Sequence, residues 1–210
     1  MKKLNILFED KHLIIVYKES FLPTIKVENV KDNLYSEVYD YLHKKNQKVF
    51  VVHRLDRDTS GLVVFAKSER VKEALQRNWD NVIREYLAIV HGNTKDCDVI
   101  KSYLKETKTL LTYSTKDKSG KYAETEYKKI MSNSQYSLLE INIKTGRKNQ
   151  IRVHMKDNNT PILGDRKYGR KDGFRHMMLL AKKLEFIHPV THQKVLIDLG
   201  IPEEYLKHLK

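Results

Sequence analysis

At 210 residues the chain is long enough to bury a real core, as one large domain or two closely joined subdomains. Forty Lys and Arg against 27 Asp and Glu leave a net charge of +13, spread along the whole sequence, which favours a folded basic surface facing a polyanion such as nucleic acid. The single cysteine, Cys97, excludes an internal disulfide and a thiolate zinc cluster and points to a reducing compartment, the cytoplasm.

The N-terminal "MKKLNILFEDKHLIIVYKE" starts basic, but Glu9, Asp10, Lys11 and His12 break its apolar runs, so neither a signal-peptide core nor a membrane span is expected. It reads instead as two short strands around an Asp-Lys-His turn. Leu34, Val38, Tyr41 and Leu42 recur at helical spacing behind a cap at Asp32. Val49 to Val52 and Leu62 to Phe65 read as strands, and Ser68 as the cap of a helix with Val71, Leu75, Trp79 and Val82 inside. "REYLAIVHG" alternates like a strand and stops at Gly92; "VIKSYL", "TLLTYST", "AETEYKKI" and "YSLLEINIK" then suggest an antiparallel meander. "TGRKNQIRVHMKDNN" is a glycine turn followed by a short helix, "HMMLLAKKLEF" and "KVLIDL" are strands, and Pro202 opens a terminal helix. Without a regular β-α alternation, the expectation is an α+β fold around a mixed, largely antiparallel sheet flanked by helices and loops.

Several chemistries lack their groups. There is no Gly-rich phosphate loop ending in Gly-Lys-Ser/Thr, no dinucleotide glycine fingerprint, no Gly-x-Ser-x-Gly elbow and no cysteine pair for a zinc deaminase. His53 and His154 invite a metal reading, but no clear third ligand accompanies either, and no metal is expected.

The densest chemistry is "VVHRLDRDTSGLVVF", Val51 to Phe65, where Asp56 and Asp58 sit among His53, Arg54 and Arg57 at a Thr-Ser-Gly turn. In an extended segment the two carboxylates share a face and could hold Mg²⁺, as in a metal-dependent nuclease. The flanking guanidiniums compete with a divalent cation and hold an aspartate ionised, as a nucleophile or a base requires. The same pattern also suits a tip held together by its own Asp-Arg pairs.

"HRLDRDTSGL" resembles the signature of the RluA-type pseudouridine synthases, and "REYLAIVHG", "TGRKNQIRVHM", "PILGDRKYG" and "LEFIHPVTHQ" are similar to that family's later segments, in the same order. The resemblance implies a single catalytic domain over residues 1–210 with a central cleft, without an S4-type RNA-binding module ahead of it, acting as a monomer. It implies isomerisation of particular uridines in a structured rRNA or tRNA stem-loop, with no metal or organic cofactor. By that likeness Asp56 is the catalytic carboxylate, Tyr86 stacks on the extruded uracil, and Arg152 is the basic residue that pairs with the aspartate. Arg54 fills the gap in the RNA stack, Arg57, Arg147 and Lys148 join it as RNA-binding cations, and Leu179 is either an apolar floor for the uracil or an ordinary core leucine. Two positions depart from the pattern. Lys148-Asn149-Gln150 stands where Thr-His-Gln is common, and Leu179-Leu180-Ala181 where Leu-His-Ala is common. A catalytically silent RNA-binding or ribosome-assembly factor would keep the same fold, but the presence of Asp56, Tyr86 and Arg152 speaks against it.

Overall fold

A computed structural model describes residues 4–28, 30 and 32–209. Among them are eleven strands and four α-helices, in two compact units: Met1–Ile83 with Lys183–Asp198, and Arg84–Lys182 with Leu199–Lys210. No helix among the described residues is long and apolar enough to cross a membrane.

In the first unit, β1 (Ile6–Glu9) and β2 (Leu13–Lys18) form an antiparallel hairpin. The Asp10 carboxylate accepts from the amides of His12 and Leu13, both at 2.7 Å, which tightens the Asp-Lys-His turn. Helix α1 (Leu34–His43) buries Leu34, Val38 and Leu42. Its cap is Asn33, not Asp32: extended backbone at Asn33 brings Oδ1 to 3.0 Å from the Ser36 amide, and Asp32 lies one residue too early for that bond. Tyr41 is half-buried and donates its hydroxyl to Glu9 at 2.7 Å.

Strand β3 (Phe50–Val51) is shorter than the sequence pattern suggests, and β4 (Ser60–Ala66) longer. β4 pairs antiparallel with both β3 and β2, and from Gly61 to Ala66 it is buried throughout, as a strand covered on two faces must be. Gly61, with φ +116°, adopts a backbone that side chains disfavour, and this lets β4 begin directly after the Asp-rich tip. Helix α2 (Glu69–Arg77) starts at Ser68, whose Oγ accepts from the Val71 amide, and it buries Val71 and Leu75, each contributing roughly 1.5–3 kcal/mol. Trp79 does not extend this helix. It opens a separate 3₁₀ turn, Trp79–Asn81, where its indole packs against the His53 ring at 4.6 Å.

In the second unit, β5 (Ile83–His91), β6 (Cys97–Glu106), β7 (Thr112–Thr115), β8 (Lys121–Ser132) and β9 (Tyr136–Ile143) pair antiparallel in the order β5-β9-β8-β6-β7. This is not the simple meander expected. The four-residue β7 folds back onto one edge of β6, and the turn after it returns the chain so that β8 takes the other edge. Helix α3 (Gln150–Asp157) lays Ile151 and Met155 on a cluster containing Ala88, Val90, Leu139 and Ile141, and Val153 on another containing Leu104 and Ala123. Beyond it the chain threads tightly past its own backbone: a Cβ at Gly164, whose φ is +72°, would meet the His176 carbonyl oxygen at 2.0 Å. β10 (Leu179–Ile187) leads back to the first unit, where it pairs antiparallel with β11 (Lys194–Asp198), and α4 (Glu203–Lys207) follows Pro202. These strands and few helices make an α+β fold.

Candidate active site

The tip between β3 and β4 carries Asp56, half-buried, between the exposed side chains of Arg54 and Arg57. Three residues from one stretch of chain hold its backbone. Lys18, fully buried, donates from Nζ to the carbonyls of Glu19 (2.9 Å), Leu22 (2.8 Å) and Arg57 (3.0 Å), which uses all three ammonium hydrogens. Ser20 Oγ donates to the Asp58 carbonyl at 2.8 Å. Thr24 Oγ1 donates to the Leu55 carbonyl at 2.9 Å and accepts from the Leu55 amide at 3.1 Å. The Thr59 amide closes the turn on the Asp56 carbonyl at 3.2 Å. Burial pulls the Lys18 pKa down to about 7, while the carboxylates of Asp58 and Asp56 pull it up. Lys18 thus ties Arg57 to the strand β2. Arg57 Nε meets Asp58 Oδ1 at 3.2 Å in a solvent-exposed pair of small energetic weight. His53 Nε2 accepts from the Val64 amide at 3.2 Å, a structural bond within the hairpin.

In the second unit, Tyr86 lies half-buried on β5 and packs against the cluster to which α3 gives Ile151 and Met155 and β10 gives Leu179. Leu179 is 2% exposed, a member of that core. Arg152, one residue beyond Ile151, is 4% exposed, and its guanidinium is clamped. Nε and Nη2 donate to the two oxygens of Asp165 at 2.8 and 2.7 Å, and Nη1 donates to Asn149 Oδ1 at 3.2 Å. The Tyr168 ring lies 5.1 Å from the guanidinium carbon, a cation–π distance. Asp165, 1% exposed, also accepts from the amides of Lys167 and Tyr168, both at 2.9 Å. Burial works against its charge, but the Arg152 bonds and the two amides outweigh this and hold its pKa below the usual carboxylate value. Tyr168 Oη in turn accepts from the Thr112 amide (3.0 Å) and from Asn149 Nδ2 (3.2 Å). Every polar group around the cation therefore has a partner, which a buried charge demands.

Arg147 and Lys148 lie in the turn between β9 and α3. Arg147 Nε donates to the Tyr122 carbonyl at 2.9 Å, and Lys148 pairs with Glu106. His154 is fully buried with a hydroxyl on each nitrogen, Ser102 at Nε2 (2.9 Å) and Thr125 at Nδ1 (2.8 Å), and burial lowers its pKa to about 4. It is a neutral core histidine. Lys18, Ser20, Thr24 and Asp165 escaped sequence reasoning. The one available signal was Asp165 inside "PILGDRKYG", a segment already marked by its resemblance.

The family described as RNA pseudouridylate synthase matches residues 12–157 of this chain. The tRNA pseudouridine synthase C of Pasteurella multocida is 33% identical, with 97% of this chain and 93% of that protein covered. The ribosomal large subunit pseudouridine synthase D of Zymomonas mobilis is 31% identical over 96% of this chain and 70% of that protein. Among solved structures, human RNA pseudouridylate synthase domain containing 1 matches with a TM-score of 0.80 at 20% identity, covering all of this chain and 87% of that one, a likeness of fold. The chain belongs to the RNA pseudouridylate synthase family. It is an isomerase of the RluA type, a class of enzyme that turns uridine in RNA into pseudouridine.

Proposed function

We propose that the enzyme modifies specific uridines in a structured tRNA or rRNA stem-loop in the cytoplasm, as a monomer, with Asp56 as the catalytic carboxylate. The reaction breaks the bond between ribose C1′ and uracil N1, turns the base, and joins C1′ to C5; the C5 hydrogen leaves to water and N1 gains a proton. No electrons enter or leave, so no redox cofactor is required. The base must first leave its stack, at a cost of a few kcal/mol. In this reading Arg54 fills the gap, Tyr86 stacks on the uracil, Arg152 is the buried cation of the reaction, Leu179 supports the apolar side of the base, and Arg57, Arg147 and Lys148 meet phosphate.

The observation that carries this reading is the setting of Asp56: its backbone is pinned on both sides by Lys18, Ser20 and Thr24, with two exposed guanidiniums flanking it. The relatives named for tRNA and for the large ribosomal subunit support the substrate class. The test is release of tritium from RNA carrying 5-tritiated uridine. The wild-type protein releases it without sensitivity to EDTA and without cutting strands, and Asp56→Asn abolishes release while RNA binding is retained. Release by Asp56→Asn at the wild-type rate removes Asp56 from the role, and metal-dependent cleavage without release replaces the whole reading with a nuclease.

A further inference from the structure

The β6-β7-β8 sheet has two different faces. Ser102, Leu104, Ala123 and Thr125 point to the side of α3, where Ser102 and Thr125 bond His154 and Leu104 and Ala123 pack with Val153. The alternate residues point the other way. There the strand registers place Tyr103 opposite both Tyr122 and Thr115, Lys101 opposite Glu124, and Lys105 opposite Tyr113. The rings of Tyr103 and Tyr122 meet edge to face with centroids 5.8 Å apart. Tyr113 and Tyr122 remain 41% and 39% exposed. An open concavity of about 520 Å³ lies beside Tyr122, lined also by Lys101, Ser102, Tyr103, Ser114, Thr115 and Lys116. Gly120 holds the β7-β8 turn close to this site, since a Cβ there would stand 3.0 Å from the Tyr103 Cβ.

The charge around the rings is divided. Lys101 and Lys105 are matched by Glu124 and Asp117. Lys108, in the turn before β7, and Lys116, Lys118 and Lys121, around the turn after it, appear in none of the ion pairs among the described residues. Arg147 reaches the same place from the other side, through its bond to the Tyr122 carbonyl. Exposed rings bracketed by unmatched cations suit a ligand with flat apolar faces and a phosphate on either side.

We propose that this face is a second RNA contact, which seats an unpaired nucleotide of the substrate other than the uridine that reacts. One base stacks on the Tyr103–Tyr122 pair, and Lys116, Lys118 and Lys121 take the flanking phosphates. The inference rests on the RNA-modifying reading above and adds a surface that serves affinity and not chemistry. Stacking on tyrosine tolerates any base, so the contact is indifferent to sequence at that nucleotide.

The test measures the binding of a short, labelled, unpaired RNA of mixed sequence, and separately KM and kcat for tritium release from bulk RNA. Tyr103→Ala with Tyr122→Ala weakens binding at least about fivefold, the lower end of stacking for one base, and raises KM with kcat unchanged. Tyr103→Phe with Tyr122→Phe keeps the ring faces and binds as the wild type does. The triple change Lys116→Ala, Lys118→Ala and Lys121→Ala, confined to exposed positions, lowers the slope of log affinity against log salt by about 2, near 0.7 for each phosphate contact. An unchanged salt slope in the lysine variant, or wild-type binding by the folded double-alanine variant, overturns the proposal; so does a fall in kcat at unchanged KM. Should the wild-type protein release no tritium, the reading of its reaction fails, while the oligonucleotide measurements still decide whether this face binds RNA.

Discussion

Replacing Asp165 by asparagine isolates what the clamp around Arg152 contributes. The carboxylate accepts four hydrogen bonds, two from the guanidinium at 2.7 and 2.8 Å and two from backbone amides at 2.9 Å, at a position 1% exposed. An amide of the same shape offers one oxygen. Its NH₂ must face either the guanidinium Nε or the three donors now sharing Oδ1, so at least one donor pair is opposed, and the Arg152 charge stays buried without its counterion. Removing one partner of a buried ion pair costs about 3–5 kcal/mol. For a chain of this length that lowers Tm by roughly 6–20 °C. Circular dichroism during thermal and urea unfolding at neutral pH measures it. The folded pKa of Asp165 lies below its ordinary value, so the advantage of the wild type is complete above the unfolded carboxylate value near 4 and is lost as pH falls through the folded one. In tritium release the variant loses kcat and keeps KM, because Asp165 positions the cation without touching RNA. A stability loss under 1 kcal/mol would show that the buried Arg152 charge does not depend on Asp165.

Lys18→Met leaves the carbonyls of Glu19, Leu22 and Arg57 without their donor. We expect a loss of about 2 kcal/mol, with the orphaned acceptors outweighing the relief of no longer burying an ammonium, and a kcat lowered by loosening of the Asp56 loop; urea unfolding and tritium release measure both, and a kcat within twofold of wild type refutes the tether. His154 has its folded pKa near 4 against an ordinary value of 6.5, so its protonation is disfavoured in the folded state and stability declines as pH falls from 6.5 towards 4, by roughly 3 kcal/mol. Urea unfolding across that range shows the decline in the wild type and a flatter curve in His154→Gln; equal curves remove the histidine as its source.

Much of the architecture is written in local pattern. β5 alternates, Ser68 caps α2 at the expected residue, and ten contiguous residues around Asp56 carry the family resemblance. What escaped has non-local causes. Lys18 ends an apolar run and reads as a lysine turned to solvent, yet its third carbonyl partner, Arg57, is thirty-nine residues away and comes into reach only when β2 pairs with β4. Asp165 is thirteen residues from Arg152 in a segment without periodicity, so no spacing rule joins them. The order β5-β9-β8-β6-β7 was hidden because a four-residue strand can take either edge of its neighbour, and residue pattern alone does not choose between the edges. The histidine at 154 could be weighed as a ligand only until its two hydroxyl partners were in view.

The two departures from the family pattern fall at different places around the Arg152 clamp: Asn149 within the clamp and Leu180 beside Leu179 on β10. Asn149 stands at the start of α3 with φ +54°, a left-handed backbone that asparagine tolerates well. From there its Oδ1 accepts from Arg152 while its Nδ2 donates to Tyr168, so one side chain offers the acceptor the guanidinium needs and a donor for the phenol. A histidine ring can offer both only while neutral; once protonated it would turn a second donor towards Arg152. The amide keeps the same polarity at every pH. Leu180 is the neighbour of Leu179 on β10, and since Leu179 faces the cluster that supports Tyr86, strand alternation turns Leu180 to the opposite side of the sheet, where it is 1% exposed. A leucine there adds to the core and cannot reach the face that carries Tyr86 and α3. One replacement thus preserves the hydrogen-bonding of the clamp and the other lies behind it, which is why the loss of both histidines is compatible with an intact Arg152 site.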